Sequence, residues 1–202
     1  MNEKFFDLKK EKQDRMINGA LKVFALNGYG HASCDDIVKE AGISKGLLFH
    51  YFESKLGVYT FVYDYSVKFM SLEIKSRVSD KEKDLFKLIK QVEYARMQVM
   101  CGYPFMQLFL NRAENEDVSE ALLATEEMKN KMQEVLEGIY SQSTTCLSDE
   151  KVDINRVRKM LEYTIKGLLA DHHMSGSFRP DMVYDEITEY IDMVKEFTVK
   201  EG

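Results

Sequence analysis

Residues 33–55 read SCDDIVKEAGISKGLLFHYFESK, and the fold turns on this stretch. Ser33 stands before Cys34, Asp35 and Asp36, a hydroxyl at the N-cap with carboxylates in the first turn, where they complement the positive end of the helix dipole. The short helix runs to about Ala41, Gly42 ends it, and Ile43 is an apolar plug in the turn. Ser44 is a second N-cap, and Lys45 to Phe52 follow as a second short helix. Two short helices joined by a glycine-containing turn of about three residues form a helix-turn-helix. Upstream, Met16, Ile17, Ala20, Leu21, Val23, Phe24 and Leu26 recur at intervals of three and four, predicting an amphipathic helix over residues 10–27 with Gly28 as its stop. Downstream, Glu53, Ser54 and Lys55 restart a helix that continues to about Val78.

The rest of the chain reads as helices over about residues 81–101, 104–114, 118–141, 154–174 and 181–199, roughly nine in all. Gly102 and Pro104 break one pair. Asp117, Asp153 and Asp181 stand at or just before three starts, and Pro180 fits the habit of proline at helix entry. Two prolines and 11 glycines in 202 residues supply too little punctuation for a short-stranded β fold. An all-α chain is therefore expected, with a boundary near residue 53: a three-helix domain holding the helix-turn-helix over 1–53 and a helical bundle over 54–202.

Composition excludes several classes. Hydrophobic residues at 45% and charged residues at 31% are too apolar for intrinsic disorder. No apolar stretch approaches the roughly 20 residues that span a bilayer, and residues 1–12 lack the apolar core of a secretory signal. A cytoplasmic protein without a membrane partner is expected. Cys34, Cys101 and Cys146 are widely spaced and odd in number, which suggests neither a disulfide framework nor a zinc site. The net charge of -6 argues against a nucleic-acid partner only until it is partitioned. Residues 1–55 hold nine Lys/Arg and eight Asp/Glu, so the acidity belongs to the remainder.

The stretch resembles the start of the tetracycline-repressor (TetR) family of bacterial transcription regulators. The resemblance rests on Phe24, Gly28 and Tyr29, then Ile37, Ala41, Gly42, Ile43 and Ser44, then Gly46, Leu48, Phe49, Tyr51, Phe52 and Lys55. It covers about residues 10–55. Phe49 stands where the family usually has tyrosine, so a hydroxyl contact to phosphate is lost there while contact with a thymine methyl stays open. The resemblance implies that Lys45, Gly46 and Phe49 face bases, and that Ser33, Ser44, Leu47, His50, Tyr51 and Lys55 lie along phosphates. The chemistry agrees: Lys45 suits guanine O6/N7, Gly46 lets the backbone approach, and Lys55 with the hydroxyls of Ser33 and Tyr51 suits phosphate. Ser33 and Ser44 serve as N-caps with or without that role, and Phe52 reads as core.

Ten of the 12 methionines lie after residue 56, with many aromatics, a composition suited to an apolar ligand cavity as well as to plain core. The resemblance implies an effector pocket among the middle helices and dimerisation through the last two. Phe86, Ile89, Glu93, Met97 and Met100 share one face, putting a carboxylate on an apolar stripe; His172 lies on a similar stripe with Tyr163 beside it. Tyr63, Glu93, Met97, Met100, Phe105, Phe109, Tyr163 and His172 are the candidate effector residues. Val157, Leu161, Thr164, Ile165, Gly167 and Leu168, with Val183, Ile187, Ile191, Val194 and Phe197, are read as surface for a four-helix homodimer interface.

No GxSxG, P-loop or HExxH is present, and His172 and His173 point about 100 degrees apart on a helix, so they do not chelate one metal. No catalytic residue, metal or cofactor is expected. The reading is a ligand-responsive, homodimeric repressor of a palindromic operator. The alternatives are a helical adaptor of the same fold that no longer binds DNA and, further off, an enzyme.

Overall fold

The computed structural model describes residues 3–147 and 152–199. Among them are nine α-helices and no strand. The helices are α1 (Lys10–His31), α2 (Cys34–Ala41), α3 (Lys45–Phe52), α4 (Lys55–Arg77), α5 (Leu85–Gly102), α6 (Met106–Ala113), α7 (Ser119–Tyr140), α8 (Ile154–Met174) and α9 (Pro180–Thr198). A 3-10 turn, Glu3–Asp7, precedes them. The chain gathers into two compact units, one built from residues up to 71 with 102–133, the other from 72–101 with 134 onward.

In the first unit, α1 buries Met16, Ile17, Ala20, Leu21 and Phe24, the face its periodicity predicted. The helical run is broken at Gly28, whose φ of 68° is a left-handed value that glycine adopts without steric cost. Gly19 sets the approach of α2: a Cβ there would lie 2.9 Å from both the Cβ and the backbone nitrogen of Ala41. Phe5 is fully buried, with ring centroids 4.8 Å from Phe61 and 5.3 Å from Phe52. Tyr103 accepts from Lys10, donates to Asp14 at 2.7 Å and meets the Tyr65 hydroxyl at 2.7 Å, tying α1 to α4 and to the turn before α6. Burial and the Asp14 carboxylate push the Tyr103 phenol up to about 12.

In the second unit, α5 begins at Leu85 rather than near 81. The Asp84 carboxylate accepts from the N–H groups of Phe86 and Lys87, so the effective N-cap is the last acid of the 80–84 run. Lys195 pairs with Asp84 and Lys90 with Asp192, joining α5 to α9. Asp153 caps α8 by accepting from Asn155 N–H at 2.9 Å, whereas α9 starts at Pro180 and Asp181 lies within its first turn, paired with Arg179. Val157, Leu161, Ile165, Val183, Ile187, Ile191 and Val194, read from sequence as dimer surface, are buried inside this unit. Each helix has a second apolar face that is exposed: Met160, Tyr163 and Met174 on α8, and Met182, Tyr190, Met193 and Phe197 on α9.

Candidate nucleic-acid interface

Both serine caps form. Ser33 Oγ accepts the Asp36 N–H at 3.1 Å and donates to the Asp36 carboxylate at 2.6 Å, and Ser44 Oγ accepts the Leu47 N–H at 3.2 Å. Gly42 closes α2 in the left-handed conformation, φ 63° and ψ 43°. Leu48 and Phe52 anchor α3 in the core, which turns Ser44, Lys45, Gly46 and His50 to solvent and leaves Leu47, Phe49 and Tyr51 half-buried. A Cβ at Gly46 would meet nothing within 4 Å, so the backbone of the first turn is open to approach.

The lysines are less free than their positions suggest. Lys45 reaches back across the turn to Asp35, at 2.8 Å and 3.1 Å from its two carboxylate oxygens, and the hydrogen bond to Asp35 raises the Lys45 pKa. Lys55 donates to the backbone carbonyls of Tyr29 at 2.9 Å and Ala32 at 3.2 Å, and its ammonium sits 4.3 Å from the Tyr29 ring centroid. Lys55 therefore fastens the connector between α1 and α2 to the start of α4. The Tyr29 N–H in turn donates to Glu116 at 2.9 Å. Burial raises the Glu116 pKa, but the N–H groups of Tyr29, Val118 and Asp117 outweigh it and hold the carboxyl below its ordinary value near 4.5.

The α3–α4 junction is tight. Glu53 has φ 65° and ψ -40°, and Ser54 N–H donates to the Phe52 carbonyl at 2.7 Å, the geometry of the rare γ-turn. Ser54 then caps α4 through the Gly57 N–H at 3.0 Å. A Cβ at Gly57 would lie 1.9 Å from the Phe52 carbonyl oxygen. Behind this junction Phe5 packs edge-on to Tyr51, centroids 5.7 Å apart. Nothing in the periodicity of residues 1–12 marks Phe5; its signal is two adjacent phenylalanines in a charged segment.

Residues 16–59 match the sequence model of the family described as bacterial regulatory proteins, tetR family. The chain carries a TetR-family N-terminal region. A Bacillus subtilis (strain 168) protein, the uncharacterized HTH-type transcriptional regulator YuxN, is 44% identical over 59 residues, or 27% of this chain and 20% of that relative. The chain thus aligns with about a fifth of that relative's length. Over the whole fold, a TetR family transcriptional regulator from Chloroflexus aurantiacus superposes with a TM-score of 0.67 at 20% identity, covering 98% of each chain. The transcriptional regulator FadR from Bacillus subtilis, solved in complex with stearoyl-CoA, has a TM-score of 0.57 at 15% identity over 88% of this chain and 96% of its own. The TetR arrangement of a helix-turn-helix followed by further helices is the fold of this chain.

The expected effector residues fall into different settings. In the first unit, Tyr63 and Phe109 are buried with ring centroids 6.0 Å apart, and Phe105 is part-exposed with Lys22 at 6.0 Å from its centroid. In the second, Met97 and Met100 are buried and Glu93, 4% exposed, pairs with Arg96 at 2.6 Å. Arg96 Nε has no hydrogen-bond partner among the described residues. Burial pushes the Glu93 carboxyl up, with Arg96 opposing. Tyr163 is 62% exposed beneath Lys159, and His172 meets Glu186 at 2.7 Å. Among the described residues, no three His, Cys, Asp or Glu side chains gather as a metal would require, and no helix is long and apolar enough to cross a membrane.

Proposed function

We propose that the protein is a ligand-responsive, DNA-binding transcriptional repressor acting in the cytoplasm, with residues 1–53 as the DNA-binding part and 54–202 serving effector binding and dimerisation. The observation that carries this is the exposed first turn of α3, Ser44-Lys45-Gly46, held by caps on both helices and anchored through Leu48 and Phe52. Such a turn enters the major groove with its N-terminal residues on base edges, while Ser33, Leu47, Phe49, His50 and Tyr51 border it. Selection of bound duplexes from a random library, followed by titration in salt, tests it. A preferred palindromic sequence whose affinity falls steeply with salt is expected.

Two copies are expected per operator. The exposed apolar faces of α8 and α9 are of the kind a two-fold dimer covers, and Gly167, where a Cβ meets nothing within 4 Å, lies on the open side of α8. We propose that the effector binds in the second unit, around Met97 and Met100, with the Glu93–Arg96 pair as its polar end; their burial side by side supports this. The acyl chain of the stearoyl-CoA bound to FadR supports an effector with a long apolar part. A chain-length series of acyl ligands, read by thermal shift and by release of the selected duplex, tests that placement. One observation favours the DNA-independent adaptor: both Lys45 and Lys55 are engaged within the protein. Absent or salt-insensitive binding in the same titration would select it.

A further inference from the structure

Asp35 lies on the second position of α2 and Lys45 on the first of α3, and their contact uses both carboxylate oxygens, at 2.8 Å and 3.1 Å. Both side chains are exposed, 73% for Asp35 and 53% for Lys45, where an ion pair adds little stability. The neighbouring Asp36 is occupied by Ser33 in the α2 cap, so Asp35 is the carboxylate that reaches over to α3. An ammonium has three donors, so Lys45 keeps Asp35 while donating to a further acceptor.

Resting on the reading of α3 as the recognition helix, we infer that Asp35 and Lys45 act as one unit that reads both halves of a G·C base pair. The Lys45 ammonium donates to guanine O6 and N7 together, its remaining donor staying on Asp35, and the Asp35 carboxylate accepts from the cytosine N4 amino group. Two acceptors sharing one ammonium lie roughly 4–5 Å apart, and guanine O6 is itself hydrogen-bonded to cytosine N4 at about 3 Å, so the carboxylate falls within reach of that amino group. The open surface at Gly46 leaves room for the pair to approach. A phosphate in place of the base would face the Asp35 charge at close range and be repelled, which steers Lys45 to the groove floor. Asp35 is thus a specificity-determining residue.

Base analogues separate the two contacts. The duplex selected by the wild-type protein is remade with 7-deazaguanine, which lacks the N7 acceptor, or with N4-methylcytosine, which pairs normally but loses its groove-facing donor. N4-methylcytosine at the read position is expected to weaken the wild type about tenfold and Asp35→Ala less than about twofold. 7-Deazaguanine is expected to weaken the wild type and Asp35→Ala alike, and to leave Lys45→Ala indifferent. Equal losses for wild type and Asp35→Ala on N4-methylcytosine, or no loss for either, would overturn the assignment, as would a selected operator with no G·C preference. Failure of the wild type to select any duplex is a different result, which removes the DNA-binding reading itself and this inference with it.

Discussion

Lys55 spends two of its three donors on the carbonyls of Tyr29 and Ala32, which would otherwise lie at the end of a broken helix without a partner. Hydrogen bonds from a charged donor in a half-buried place contribute about 1–2 kcal/mol each. Lys55→Ala should therefore lower the urea midpoint and weaken every duplex together while leaving the salt slope near its wild-type value. Unchanged stability with a slope smaller by about one unit would make Lys55 a phosphate contact instead. Glu116 gives a pH prediction. Its folded pKa lies below the ordinary value near 4.5, so its contribution is complete above that value and is lost as pH falls through the folded pKa. In melting experiments between pH 3 and 7, the wild type should lose stability over the acid end more steeply than Glu116→Gln. Parallel curves would remove Glu116 as the cause. The caps at Ser33 and Ser44 were legible because a cap and its target are three residues apart. The partners of Lys55 and Glu116, 23 to 87 residues away, leave no local pattern to read.

At the level of elements, the α3–α4 junction concentrates strain. Glu53 sits at φ 65° in a γ-turn, a conformation that costs a non-glycine residue on the order of 1–3 kcal/mol. Glu53→Gly should raise stability by about 1 kcal/mol in denaturant titration. Gly57→Ala should do the reverse by more than about 2 kcal/mol, since the new methyl meets a backbone carbonyl that cannot swing aside. A neutral Gly57→Ala would mean that the junction relaxes freely. The order and type of the helices followed from periodicity and from Gly28, Gly42 and Pro180, each of which acts on its own backbone. The start of α5 was misplaced by four residues because five successive residues, 80–84, alternate acid and base, and only packing selects Asp84 as the cap.

For the whole molecule, the two-faced helices α8 and α9 set the assembly test. Met193→Glu or Tyr163→Glu would place a charge in the exposed apolar stripe without entering the core of the unit. If the proposed dimer forms through these faces, each should raise its dissociation constant at least about tenfold in sedimentation, and each variant should melt near the wild type. A dimer that persisted in both would move the interface elsewhere. Sequence periodicity found one apolar face of each helix and assigned it outward, yet that face is the one buried in the unit; the exposed stripe with Met160, Met182 and Met193 was missed, because an apolar stripe alone does not say which surface it covers. The close approaches at Gly19 and Gly57 bear on genetics as well. In a saturation screen for lost function, both positions should reject all nineteen replacements although what each glycine faces is protein backbone, at Ala41 or Phe52. Null alleles in this region therefore report backbone clearance as often as base contact, and only a binding profile across many duplexes tells the two kinds of loss apart.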